Sequence, residues 1–248
     1  MTTRSVDPSA LAAEIQHAQA VIDDASATQA KVARAAAAEQ LAFRELARRR
    51  SLRRETLARL ATRSAREAAI AALRAADALA QIVPREARFP HWRIVSPPPP
   101  RRLLVYFRRA AARYRLAWQY LAAIELVETR MGRIHGLSPA GAKGPMQFMP
   151  ATWAEYGDGN INSQHDSIMA AARFLAANGA RGNIAGALLH YNPSRSYVAA
   201  VESYAREMRR DSRAFYGYYY WQVLFRTTKG TFLLPIGYPR VHPEQLPG

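Results

Sequence analysis

Residues Ile124 to Trp153, IELVETRMGRIHGLSPAGAKGPMQFMPATW, decide how this chain is read: a helical stretch, a turn-rich loop and the start of another helix. The periodicity predicts a helix from about Ala111 to Met131. Projected at ~100° per residue, Ala117, Tyr120, Leu121, Ile124, Val127 and Met131 fall within an arc of roughly 120°. Glu128 falls inside that arc, whereas Glu125 sits at its edge, near Trp118 and Thr129. A carboxylate on an apolar face is either paired or neutralised by a raised pKa. Pairing would use Arg130 or Arg133; neutrality is what a general acid needs near neutral pH. Helical spacing alone leaves both states open.

The loop from Ser138 to Pro145 holds two glycines and two prolines in eight residues, which predicts a turn-rich connection. Gly141 and Gly144 would let the backbone pass close to another surface or a ligand. Met146-Gln147-Phe148-Met149 then sets one amide among large apolar groups. A half-buried Gln147 presents a donor and an acceptor that suit an acetamido group, or it is a satisfied core amide. Phe148 and Met149, taken singly, read as core.

Three pieces of this stretch, Val127-Glu128-Thr129-Arg130, Gly132-Arg133 and Gly144 through Trp153, are followed in order by Gly157-Asp158-Gly159-Asn160-Ile161-Asn162 with Asp166, the helix Ala170 to Gly179, and Tyr191-Asn192. As an ordered set they resemble the lytic transglycosylases of lysozyme-like fold (the SLT superfamily), most closely the membrane-bound type B branch. The resemblance covers about Pro97 to Asp211. It implies a lysozyme-like helical catalytic domain that needs no cofactor. Its substrate would be the peptidoglycan glycan strand, cut at the β-1,4 bond between N-acetylmuramic acid and N-acetylglucosamine. On the same basis Glu128 is the catalytic residue, Gln147 and Tyr191 position the acetamido group and stabilise developing positive charge, and Ser138, Met149 and Asn192 complete the substrate-binding set. Two departures stand out. Thr129 occupies the place of the serine that follows the glutamate in the soluble branch, and His165 stands where proline is usual.

Composition is compatible with that reading. The 248 residues allow one large domain or two modest ones, and 49% hydrophobic content allows a sizeable core. There are 35 basic residues against 19 acidic, for +16 at pH 7, and only Lys31, Lys143 and Lys229 are lysines. An arginine- and alanine-rich chain suggests a GC-rich bacterial genome, and a positive field attracts polyanions, including anionic wall polymers. Nucleic acid is not expected, because no zinc-finger spacing, RNA-recognition signature or heptad-linked basic region accompanies the charge. The sequence shows no transmembrane run, and Met1 to Asp7 lacks the apolar core of a signal peptide. Because the resemblance implies extracytoplasmic, secreted action, the expectation is an export signal removed upstream of this numbering or a misplaced start. The absence of cysteine permits either compartment.

Along the chain, Asp7-Pro8 caps a helix to about Asp23, and Ser26-Ala27-Thr28-Gln29 opens a second toward Arg49. Five arginines between Arg48 and Arg54 read as a solvated turn, and a third helix spans about Thr62 to Ile82. Residues 1–83 are thus an N-terminal helical bundle. Residues 84–100, ending in four prolines, form a stiff extended linker, and 101–248 form the catalytic domain. Asp166 reads as the N-cap of the following helix, Ala185 to His190 leads into Tyr191, and the last helix spans about Ser196 to Arg210. Glu202, Glu207 and Asp211 read as solvent-facing pairs on it. Tyr216 to Phe225 and Thr231 to Pro235 around Lys229-Gly230 read as a C-terminal β-hairpin, whose aromatic rings either offer a platform for sugars or cover the core. The fold class is therefore mainly all-α.

Asp158-Gly159-Asn160-Ile161-Asn162 alternates oxygen ligands but lacks the glycine and glutamate of a calcium loop at the required places, so no metal is assigned. Most glycosidases need two carboxylates. Here one is well placed. The resemblance implies that the substrate supplies the second group: the 6-hydroxyl of the muramyl sugar attacks its own anomeric carbon and closes a 1,6-anhydro ring, with Glu128 serving first as acid and then as base. The alternatives are a hydrolytic muramidase like goose-type lysozyme, with Asp158 or Asp166 holding the water, and a non-catalytic wall- or polyanion-binding protein.

Overall fold

The computed structural model describes residues 7–247; Met1–Val6, most of the stretch read for an export signal, lie outside the described residues. The N-terminal helices are α1 (Pro8–Asp23), α2 (Gln29–Arg48), α3 (Arg53–Arg59) and α4 (Arg63–Leu79), with a short 3-10 turn at Arg50–Leu52. After strand β1 (Arg93–Ile94) come α5 (Pro100–Tyr114), α6 (Trp118–Thr129), β2 (Ile134–His135), α7 (Pro150–Tyr156), α8 (Gln164–Ala177), α9 (Ile184–Tyr191), α10 (Arg195–Arg210) and α11 (Ala214–Tyr219). Strands β3 (Val223–Thr227), β4 (Gly230–Leu234) and β5 (Glu244–Gln245) form an antiparallel sheet near the C-terminus, and β1 pairs antiparallel with β2. The chain is mainly helical, as expected.

Short polar side chains start most of these helices by satisfying an otherwise orphaned N–H. Asp7 accepts from Ala10 N at 3.2 Å, Thr28 from Lys31 N at 3.4 Å and Ser194 from Tyr197 N at 3.3 Å. The predicted helix from Ala111 to Met131 is two helices. Arg115 adopts a left-handed conformation (φ 56°) and ends α5, with Leu116 N donating to Ala111 O at 2.9 Å. Asp166 is not an N-cap: Ser163 caps α8, and Asp166 lies in its first turn. Tyr216 to Tyr219 belong to α11 and not to a strand, so α10 is not the last helix, and the hairpin begins at Val223. Tyr218, Tyr219 and Trp221 are buried and cover the core.

Helix α10 is the hub. Tyr197, Val198, Ala200, Val201, Tyr204, Ala205 and Met208 are buried on it, and it packs along both α4 and α6. The facing side of α4 is almost entirely alanine (Ala65, Ala68, Ala69, Ala72, Ala75), which lets the two helix axes approach closely. A single cluster of buried side chains runs from Leu11 through Leu103 and Ile124 to Trp221, so the N-terminal helices and the later ones share one core. The arginine-rich turn is partly internal: Arg53 donates to Asp77 Oδ2 at 2.6 Å and to the carbonyls of Leu46 and Ala47, closing the end of α2. Segment 84–100 is fastened along its length and is no free connector. Glu86 exchanges hydrogen bonds with Arg226 O and Thr228 N, and Ile94 does so with Tyr238 O and Gly237 N. Val95 N donates to Arg133 O at 3.0 Å. The strand pair β1–β2 thereby holds the chain that leaves α6.

Candidate active site

Helix α6 is covered on nearly all sides: Leu121 to Leu126 and Thr129 are buried, and only Val127 and Glu128 in its second half are half-open. The arc drawn from sequence therefore assigns the two glutamates the wrong way round. Glu125, expected at the edge, is completely buried, whereas Glu128 lies at the opening. Burial pushes the Glu128 carboxyl up to about 7, opposed by one hydrogen bond from the Tyr197 hydroxyl to Glu128 Oε1 at 2.7 Å. The ion pair with Arg130 or Arg133 does not form. Arg130 Nη1 donates to Leu126 O at 2.8 Å, and Arg133 donates to Arg130 O and lies over the Tyr219 ring at 5.1 Å. Glu128 is therefore a half-open carboxyl that gives up its proton near neutral pH, a state suited to a general acid.

Glu125 sits one turn earlier with the Gln164 side chain beside it. Burial holds its carboxyl well above the ordinary range, with the Gln164 amide opposing. Neither Glu125 oxygen has a hydrogen-bond partner of ordinary geometry among the described residues, nor does Gln164 Oε1. Glu125 thus lies behind the site, where burial disfavours its charged form. The turn after α6 is left-handed at three successive residues, Arg130 (φ 54°), Met131 (φ 60°) and Gly132 (φ 77°). At Gly132 a Cβ would lie 1.7 Å from Gln164 Nε2, so this position has no room for a side chain.

Thr129, the departure noted from sequence, ties the acid-bearing helix to the loop. Its hydroxyl donates to Pro145 O at 2.6 Å and accepts from Gly132 N at 3.1 Å. The loop closes on itself where Lys143 and Phe148 exchange backbone hydrogen bonds of 2.9 Å, leaving Gly144 to Gln147 as a tight turn. Gly144 (φ 74°) faces Ile161 O so closely that a Cβ would approach it to 2.0 Å. Gln147 is itself left-handed (φ 49°); its Nε2 donates to Gly144 O at 2.9 Å and to Gly136 O at 3.5 Å, which fixes the plane of the amide. Ser138 is spent on the loop, its hydroxyl accepting from Ala142 N at 3.0 Å. Met149 is 43% exposed, at the start of α7.

Tyr191, the last residue of α9, stacks edgewise against Phe148 and Phe174 and donates to Met146 O at 2.6 Å. Its hydroxyl faces the loop and is not bonded to the acid; burial, then the neighbouring Glu128, pushes its pKa well up. Asn192 caps the end of α9 through its backbone N–H to Leu188 O at 2.9 Å. Tyr197, the one direct hydrogen-bond partner of Glu128 among the described residues, was not singled out from sequence. Its signal was present: Ser194 starts α10, which puts Tyr197 in the first turn after Tyr191-Asn192-Pro193.

Asp166 is engaged elsewhere, accepting from Asn160 N at 3.0 Å and pairing with His165 Nδ1 at 2.8 Å, and these contacts hold its carboxyl below the ordinary range. At Gly159 a Cβ would meet Asp166 Oδ2 at 2.5 Å, so the Asp158 to Asn162 segment is a turn wrapped on that carboxylate. His165, the second departure, lies in the first turn of α8 and does no more than pair with Asp166 and touch Tyr106. Neither the curated proteins nor the solved structures give a match to this chain. Residues 105–213, somewhat less than half of the chain, match the family model described as the transglycosylase SLT domain, which places α6, the glycine loop, Tyr191 and Tyr197 in a domain of the general class that cleaves peptidoglycan.

Proposed function

We propose that this chain is a lytic transglycosylase of the membrane-bound type B branch that cuts the β-1,4 bond between N-acetylmuramic acid and N-acetylglucosamine, with Glu128 as its single acid and base. The observation that carries this reading is the state of Glu128: half-open, raised to about 7, and held by one donor from Tyr197. Protonated, it would give its proton to the leaving glycosidic oxygen. As a carboxylate, steadied by Tyr197, it would take the proton of the muramyl 6-hydroxyl while that oxygen closes the 1,6-anhydro ring. An attacking group already attached to the substrate has a large proximity advantage over water. Weighing against hydrolysis is the engagement of Asp166 by Asn160 and His165, which leaves it poorly suited to activate water. A purely binding protein would not need a carboxyl in this state.

In this reading the fixed amide of Gln147 addresses the acetamido group, Tyr191 faces the developing charge, and Ser138, Met149 and Asn192 shape the cleft. Residues 7–83, through α4 against α10, act as a buttress that keeps Tyr197 in register with Glu128. The work is extracytoplasmic, on glycan strands, with anionic wall polymers as further partners of a chain of charge +16 and no role for nucleic acid. No described helix is long and apolar enough to cross a membrane. The test is Glu128→Gln, which should abolish clearing of a peptidoglycan gel, a loss of ~10²-fold or more, while keeping the melting temperature and strand binding. Undiminished clearing by this variant, with loss in Glu125→Gln, would transfer the role to Glu125.

A further inference from the structure

We propose that Trp92 forms a sugar-binding subsite that extends the cleft, taking a further ring of the same glycan strand against its indole; this rests on the glycan-cleaving reading above. Trp92 precedes β1 and lies outside the matched residues 105–213. Its Nε1 donates to Leu137 O at 3.3 Å, and a Cβ on Gly136 would come within 2.4 Å of Trp92 Cδ1, so the indole is laid directly on the backbone of residues 136–137. Gly136 is the residue whose carbonyl also receives Gln147 Nε2. Trp92 and the amide expected to address the acetamido group are therefore fixed to one short piece of chain, residues 136–137.

The ring is braced from behind. Phe225 meets it edge-on at 5.5 Å and 85°, and Phe89 in turn packs on Phe225 and on Phe232. Beneath it Ile94, Val223, Leu234 and Tyr238 form a small closed cluster, on which Trp92 is only partly buried. Its neighbour on the loop remains open: Leu137 is 57% exposed. With its N–H engaged by Leu137 O, what the half-buried indole adds to the surface is apolar. A pyranose ring, apolar on its C–H face and polar at its rim, matches such a rigid apolar surface, because a fixed aromatic ring loses little conformational entropy on binding.

The test compares the full chain with its Trp92→Ala and Trp92→Phe variants on peptidoglycan strands of graded length, with strand binding measured in the Glu128→Gln background. Trp92→Ala should raise KM for long strands and lower the preference for long over short strands about tenfold, the scale of one aromatic contact, with the loss in KM and not kcat. Trp92→Phe should recover most of it, and should carry the comparison if the alanine variant melts early. Equal loss of kcat at every length would make Trp92 a support for the loop and overturn the subsite, as would an unchanged length preference. A wild-type chain that neither cleaves strands nor, as Glu128→Gln, binds them would overturn the glycan-cleaving reading itself.

Discussion

Replacing Tyr197 by phenylalanine removes the one hydrogen bond that Glu128 receives among the described residues, while leaving the ring to fill its buried place on α10. A hydroxyl donating at 2.7 Å stabilises the carboxylate form more than the acid form, so its loss must raise the Glu128 pKa. Hydrogen bonds to charged groups are worth ~1.5–3 kcal/mol, and one pKa unit corresponds to ~1.4 kcal/mol, so the change should be about one pH unit after water takes part of the vacated site. The reactive form of a general acid is the protonated one, so activity falls as pH rises through the Glu128 value of about 7. In Tyr197→Phe this alkaline limb should move upward by about one pH unit. Below the limb kcat should drop about tenfold, because the carboxylate that forms in the transition state has lost its partner. The assay is initial-rate turbidity clearing of peptidoglycan from weakly acidic to alkaline pH, with melting temperatures to confirm an intact fold. A limb that stays in place or moves down would refute the link between Tyr197 and the acid.

Glu39 on α2 and Glu207 on α10 are both buried around one cavity with Gln19 and Tyr218, and burial followed by the neighbouring Glu207 and Asp23 charges pushes Glu39 up to about 8. A carboxyl raised in the folded state binds its proton more tightly folded than unfolded, so its contribution is complete below the ordinary 4.5 and lost as pH rises through about 8. Glu39→Gln should therefore flatten the fall of unfolding free energy across that window by an amount on the order of a few kcal/mol, read by denaturant unfolding at each pH, and an equally steep fall in the variant would contradict this. A fragment starting at Pro97 would expose the faces of α10 and α11 that residues 7–83 cover, so it should aggregate or melt far below the full chain; a cooperative, active fragment would show that the buttress is dispensable.

Much of the helical layout is legible in sequence because it is written in local chemistry. Asp7-Pro8 caps where a short acceptor should, and the glycine-proline loop is a loop; the second helix opens two residues later than the Ser26 capping box implies, because Thr28 is the cap and the Ser26 hydroxyl bonds Asp24 instead. The break at Arg115 carries no such mark: no glycine or proline stands there, and the left-handed residue is imposed by packing α5 across α6. That missed break misled the projection. A helix buried on nearly every side has no informative apolar arc, so Glu125 and Glu128 could be ranked only by the ordered motif set, not by periodicity. Glu207 looks solvent-facing on α10 until α2 and α4 cover it, and covering by a distant segment is not visible in local spacing. Tyr197 reads as one more core residue at helical spacing, since its hydroxyl acquires meaning only from Glu128, 69 positions away. Trp92 and the β1 segment looked like linker because their strand partners lie in β2 and near Tyr238.

The most direct measurement of the central claim is the chemical nature of the product end. Peptidoglycan digested with the full chain, reduced with borohydride and analysed by mass spectrometry reports whether the muramyl terminus is an internal anhydro ring or a free reducing end. If Glu128 acts alone and returns as the base for the 6-hydroxyl, the new termini are 1,6-anhydro-N-acetylmuramic acid, untouched by borohydride and lighter than the reduced end by one water and two hydrogens. A product pool dominated by reduced muramitol ends would contradict the account and assign the cleavage to water.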